Sequence, residues 1–165
     1  MPLIPYDDDA PPRGVFDRFQ WAFPGVVARS SQPGYHDGHD HPHGMDQAAV
    51  NLLLAENIRT VISANAHPLD DASKTRLGAA NIAYYHFPVA DFQPHTTRQL
   101  EEASRQIRTS PAALVYCGYG QGRTGTIVAA WALTSRIPGV QRNAEYLEET
   151  FGVETDAQIH RLLAL

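Results

Sequence analysis

Two hydrophobic rhythms alternate along this 165-residue chain, and their alternation outlines a fold. Ala49, Val50, Leu53 and Leu54 recur at the three-and-four spacing that gathers side chains on one helix face, and Asp46 stands where an N-cap is needed. A helix is therefore expected from Asp46 to about Glu56. Arg59 to Ser63 (RTVIS) is a short β-branched run and reads as a buried strand. Asp70 or Asp71 opens a second helix that ends near residues 78–81. Ala83 to Val89 (AYYHFPV) is strand-forming by its aromatics. Thr96 or Thr97 caps a helix to about Thr109, with Leu100, Ala103 and Ile107 on its inner face. Pro111 leads into the apolar strand Ala112 to Tyr116, followed by a glycine-rich turn and a helix from about Thr124 to Arg136. Two more helices are expected, near Val140 to Thr150 and Thr155 to Leu163. Upstream, Trp21 to Ser30 turns at Pro24-Gly25 and continues as a strand. Gln32 to Gly44, dense in Pro, Gly, His and Asp, is loop. Residues 1–14, rich in Asp and Pro, read as a flexible acidic lead, with one folded domain over 15–165. Strands alternating with helices imply an α/β domain with a central, mostly parallel twisted sheet flanked by helices.

Composition narrows the class. Apolar residues at 43% and charged residues at 19% suit a packed core. A net charge of −5 argues against nucleic acid as a partner but leaves a small anionic substrate open, since one local positive pocket suffices. No stretch approaches the roughly 20 apolar residues of a membrane span, and the first residues lack a signal-peptide pattern. The single cysteine, Cys117, can form no internal disulfide. A cytoplasmic monomer is the expectation, although export by a signal-independent route would leave the same pattern.

The chemistry concentrates in residues 117–126, Cys-Gly-Tyr-Gly-Gln-Gly-Arg-Thr-Gly-Thr, which leave a strand and enter a helix. In α/β sheets such turns at strand carboxyl ends are where ligands bind. Gly118, Gly120 and Gly122 let the backbone curl so that successive N–H groups, together with those of Tyr119 and Gln121, face an anion. The helix adds its positive end, and Arg123 offers a planar fork to two phosphoryl oxygens. Donors of this kind also favour the thiolate form of Cys117, the nucleophilic one. A nucleotide-binding turn would need a different spacing and a lysine or an acidic ribose partner, which this segment lacks.

This loop matches the C-x5-R-[S/T] phosphate loop of the cysteine-dependent protein tyrosine phosphatase superfamily, and the chain resembles its small atypical dual-specificity members. Trp21 to Pro33, Ile58 to Ser63, Phe87 to Pro94 and Val153 to Gln158 resemble further segments of that family in the same order, so the likeness spans most of residues 20–160. It implies the dual-specificity phosphatase fold and hydrolysis of phosphate monoesters through a phosphocysteine, with no cofactor and no metal. Cys117 is then the nucleophile and Arg123 the phosphoryl ligand. Asp91, in the loop FPVADFQP, is the general acid and later the base, with Asp70 and Asp71 as rivals. Thr124 donates to the sulfur or caps the helix, and Gln158 places the attacking water or serves packing. Phosphotyrosine, together with phosphoserine or phosphothreonine, is the implied substrate, with Tyr119 and His67 at the pocket wall. A non-protein phosphate ester and a non-catalytic phosphate-binding module are the alternatives, and the presence of both thiol and acid argues against the latter. Arsenate reduction would call for a second cysteine.

His36, His39, His41 and His43, with Asp37 and Asp40, crowd a loop that is longer than the matching family segment. Their spacing fits no compact zinc finger, so a flexible polar loop is expected. A metal site or a rim that selects substrates are the other readings.

Overall fold

Short apolar runs separated by polar, proline- or glycine-bearing connections give five strands. In the computed structural model, which describes residues 2–165, these are β1 (Gln20–Phe23), β2 (Val27–Ser31), β3 (Thr60–Ser63), β4 (Ala83–His86) and β5 (Ala113–Cys117). The helices are α1 (Gln47–Ala55), α2 (Asp71–Ala79), α3 (Thr97–Arg108), α4 (Gly122–Thr134), α5 (Ala144–Phe151) and α6 (Asp156–Leu163). Asp46, Asp70 and Thr96 cap α1, α2 and α3 by accepting from the backbone three residues on. Asp70 is thereby committed to α2, and Asp71 lies inside that helix, so of the three aspartates weighed for the acid role only Asp91 remains uncommitted.

The sheet order is β1-β2-β5-β3-β4, with only the β1–β2 pair antiparallel. The segment around Pro24-Gly25 is therefore a hairpin rather than a turn before a single strand. The period of two along β5 decides on which face Cys117 leaves the sheet. Ala113, Val115 and Cys117 join the core under α3–α6, while Leu114 and Tyr116 join the core under α1 and α2. Cys117 thus leaves the central strand on the α4 side, and α4 is buried along nearly its whole length. No helix among the described residues is long and apolar enough to cross a membrane.

The acidic lead needs correction. Ile4 N donates to Ala22 O and Tyr6 N to Thr150 O, so residues 4–6 run against the domain. The Tyr6 ring lies under Arg29 at 4.4 Å, and Asp8 accepts from Tyr119 Oη at 2.7 Å. Apolar and aromatic side chains set among the prolines hold a segment whose composition resembles a linker.

His95, between β4 and α3, is fully buried, and neither ring nitrogen has a hydrogen-bond partner. Burial brings its pKa from 6.5 down to about 4, so the native ring is neutral. The unfolded chain binds a proton below pH 6.5 that the native chain refuses until about 4. Stability should therefore fall as pH drops through that window, by up to about 1.4 kcal/mol per pH unit. Urea midpoints from pH 7 to 4.5 should show this slope in wild type and a shallower one in His95→Leu. Equal slopes would assign the acid sensitivity to other groups.

Candidate active site

A trans peptide sets its C=O and the following N–H in opposite directions, so carbonyls pulled outward turn amides inward. All four carbonyls of the loop after Cys117 are pulled outward by their neighbours. Gly118 O accepts from Gln32 N at 2.9 Å. Tyr119 O accepts from Arg18 Nε at 3.1 Å and from Ser31 Oγ. Gly120 O and Gln121 O accept from Arg29 Nη2 at 3.0 and 3.1 Å. The amides of residues 119–122 consequently line a concave cradle, and Gly120 N donates to Cys117 Sγ at 3.2 Å. Gly120 carries this curvature at φ +98, and a Cβ there would stand 2.6 Å from the Ser30 backbone. The α4 N-terminus adds positive potential to the same spot. Burial brings Arg29 down to about 10, which leaves it charged at neutral pH behind the cradle.

Arg123 is only 2% exposed, and its guanidinium has two usable edges. The Nη1/Nη2 edge grips Asp40 bidentately, at 2.7 and 2.8 Å, and Nη1 also donates to Val89 O at 3.2 Å. The Nε edge is buried without a partner. A buried donor left open costs about 1–3 kcal/mol, and a phosphoryl oxygen is the acceptor that suits it. Asp40 therefore fixes the arginine from one side and leaves the other side for the anion. Burial alone would push the Asp40 carboxyl up, but hydrogen bonds from Arg123 and from Ala66 N, with the guanidinium charge, hold it below the usual range. Asp40 lies so close over the loop that a Cβ on Gly118 would meet its Oδ1 at 1.9 Å.

Asp91 lies at the mouth, its Oδ1 3.4 Å from Arg123 Nη2 and its side chain 56% exposed. The loop that carries it is tied to α6. Thr155 Oγ1 donates to Phe92 O, Gln158 Nε2 to Gln93 O and Arg161 Nη1 to His95 O. Gln158 is buried, and its Oε1 accepts from Glu154 N and Thr155 N as part of the α6 capping box. Its amide is thus spent on the cap and the acid loop rather than pointed at water. Thr124 Oγ1 is buried without a partner, so in this structure it neither caps α4 nor donates to the sulfur. Tyr119 does line the mouth, a cavity of about 220 Å³, with Tyr35, Gly38, Asp91, Phe92, Gln121 and Glu154.

From the α5–α6 connection Glu154 reaches the loop instead, where its Oε1 accepts from Gly122 N at 2.7 Å. That amide belongs to the phosphate cradle, so the carboxylate and a phosphoryl oxygen compete for it. Desolvation, aided by the nearby Asp91 charge, raises the Glu154 carboxyl despite Arg123. Ionisation of Glu154 should weaken anion binding as pH rises through this raised pKa. Glu154→Gln should lower the inhibition constant for phosphate about tenfold at neutral pH, one charge-assisted hydrogen bond being at stake, and flatten its pH dependence. An unchanged constant would place Glu154 outside the cradle.

Cys117, Arg123 and the loop amides share one turn, as their spacing suggests, and Asp91, named from the resemblance of its loop, lies beside Arg123. The sequence alone assigns no site role to Arg18, Arg29, Ser31, Gln32 or Glu154, and it offers Asp40 only as part of a metal site or a substrate-selecting rim. Their available signals were the run ARSSQ, which reads as strand, the Asp inside the histidine-rich loop, and the Glu of VETDAQ.

Residues 38–136, a span that holds Asp40, Asp91, Cys117 and Arg123, match the protein family described as "Polymorphic toxin system, DSP-PTPase phosphatase". No curated protein matches the sequence. The solved structure of Tk-PTP in its active form is 23% identical over 86% of this chain and 91% of its own, with a TM-score of 0.60. TpbA from P. aeruginosa in complex with phosphotyrosine is 19% identical over 88% of this chain and 93% of its own, with a TM-score of 0.54. The core catalytic domain of the PP-IP phosphatase SIW14 from S. cerevisiae is 15% identical over 98% of this chain and 86% of its own, with a TM-score of 0.57. At these identities the likeness is one of fold.

Proposed function

The chain belongs to the DSP-PTPase phosphatase family of polymorphic toxin systems, whose chemistry is cysteine-dependent phosphoester hydrolysis, and on that footing we propose that it acts on phosphotyrosine in proteins. The thiolate of Cys117 attacks phosphorus in line, the P–O bond to the leaving group breaks, and Asp91 gives that oxygen its proton. Water then attacks the phosphocysteine, Asp91 takes its proton, and the sulfur leaves as thiolate. Charge on the three equatorial oxygens is met by the loop amides and by the open edge of Arg123.

One observation carries the substrate assignment. The mouth is walled by three aromatic side chains, Tyr35, Tyr119 and the half-exposed Phe92, and also carries two carboxyl groups, Asp91 and Glu154. Aromatic walls suit a phenyl ester, whose ring gains about 0.5–1.5 kcal/mol from each such contact. The lining holds no lysine or arginine, and Arg18, stacked on Tyr119 at 3.7 Å, is turned to Tyr119 O and Ser31 Oγ, so a second phosphate would meet carboxylates first. This disfavours inositol polyphosphates, although a PP-IP phosphatase shares the fold. Phosphoserine and phosphothreonine peptides are expected as slower substrates, and a cytoplasm, where a lone thiol stays reduced, is the proposed setting.

A panel of phosphotyrosyl, phosphoseryl and phosphothreonyl peptides, a phosphoinositide and an inositol pyrophosphate tests this reading. The phosphotyrosyl peptide should exceed the others in kcat/KM by at least about tenfold, the scale of one lost aromatic contact. Preference for either inositol compound would overturn the assignment and favour a non-protein ester.

A further inference from the structure

The histidine-rich loop, left aside by the reaction, folds into a donor set. We propose that His36, Asp37 and His41 form a site for a divalent transition-metal ion, with zinc as the leading candidate. Each residue brings one ligating atom, and these atoms lie within 4.8 Å of one another. His36 Nδ1 is 2.9 Å from Gly34 O, and His41 Nε2 is 2.9 Å from His36 O. A carbonyl oxygen only accepts, so both of these nitrogens carry their ring protons. In the neutral rings the lone pairs are then on His36 Nε2 and His41 Nδ1. Fixing the tautomer by donation from the second ring nitrogen to a backbone carbonyl is the arrangement that ligating histidines need.

The carboxylate is already turned toward this pair, with Asp37 Oδ2 3.8 Å from His36 Nε2. The His36 and His41 rings stack at 3.9 Å with their planes 9° apart, so the two imidazoles are neighbours, and one ring must turn out of the stack before both in-plane lone pairs meet a single ion. His41 is anchored through its backbone, because the buried Gln32 side chain accepts from His41 N and donates to His41 O, both at 3.2 Å. His36 and Asp37 are exposed, and Gly34 and Gly38 flank them. Metal–nitrogen bonds of about 2.0–2.1 Å need tetrahedral donors roughly 3.3 Å apart. Closing from 4.8 Å falls to the exposed His36 and Asp37, whose side chains turn while His41 stays anchored. Two imidazoles and a carboxylate suit zinc, cobalt or nickel, with water completing the shell.

The site differs from the phosphate cradle yet is joined to it by one residue. Asp40, next to the ligand His41, holds Arg123, so an ion here pins the segment that positions the phosphoryl ligand.

Calorimetric titration of Zn2+ into the Cys117→Ser variant tests the site without the competing thiolate. One equivalent should bind, and His36→Ala and His41→Ala should each weaken binding by more than about 100-fold, the upper range for second-shell changes. Asp37→Asn should weaken it less, and His160→Ala, on α6, should leave it unchanged. Absence of heat at millimolar zinc, or affinity that survives the His36→Ala and His41→Ala changes together, would overturn the proposal. Loss in His160→Ala as well would show scattered surface binding and would overturn it too.

Discussion

Arg123→Lys should lower kcat/KM by about three orders of magnitude, roughly 4 kcal/mol of transition-state stabilisation. Lysine keeps the positive charge but brings one ammonium where the guanidinium brings two edges. The arginine grips Asp40 with Nη1 and Nη2 and keeps its buried Nε for the phosphoryl group. Lysine can serve one of these partners and not both. Arg123→Ala would in addition leave Asp40 as a partly buried, unpaired carboxylate, a change that costs about 3–5 kcal/mol of stability and confuses the kinetic result. The lysine variant is therefore the sharper test, with kinetics and urea unfolding measured together. A drop of less than tenfold in kcat/KM would mean that the amide cradle alone supports the transferred group.

Cys117→Ser should show the largest loss, at least about 10^5-fold in kcat, because the hydroxyl needs a general base at the attack step, when Asp91 holds the proton meant for the leaving group. The sulfur's partner is the amide of Gly120 at 3.2 Å, a donor that steadies a thiolate and cannot take a proton from serine. The cradle amides, Arg29 and Arg123 are untouched by the change, so the variant should bind phosphate within about tenfold of wild type, less than one charge-assisted hydrogen bond being altered. Loss of activity with retained binding separates the nucleophile from the binding loop. Loss of both would point to a disrupted cradle.

Much of this site was legible in the sequence because its chemistry is local. Cys117 and Arg123 share one strand–turn–helix, and glycines between them announce the curl. The helix starts at Asp46, Asp70 and Thr96 were equally readable, since a cap residue acts on amides three positions away. The strand Thr60–Ser63 stood out by its β-branched run. The residues that hold the machinery in place lie far off in sequence. Arg29 meets Gly120, Asp40 meets Arg123, and Glu154 meets Gly122 only because β2, the histidine-rich loop and the α5–α6 connection converge at the carboxyl end of β5. No spacing rule encodes such meetings. Composition misled at the lead, where Asp and Pro masked the anchoring by Tyr6. Of the two roles open to Gln158, packing is the one its buried amide takes, closing the α6 cap.

A phosphocysteine is the intermediate on which this mechanism turns, and rapid acid quench during turnover of a phosphotyrosyl peptide, followed by mass spectrometry of the proteolysed enzyme, observes it directly. The mass of one phosphoryl group should appear on the peptide that carries Cys117, localised to that residue, and should vanish in Cys117→Ser. Turnover that continues in Cys117→Ser, or a phosphoryl group found on any other residue, would contradict Cys117 as the nucleophile.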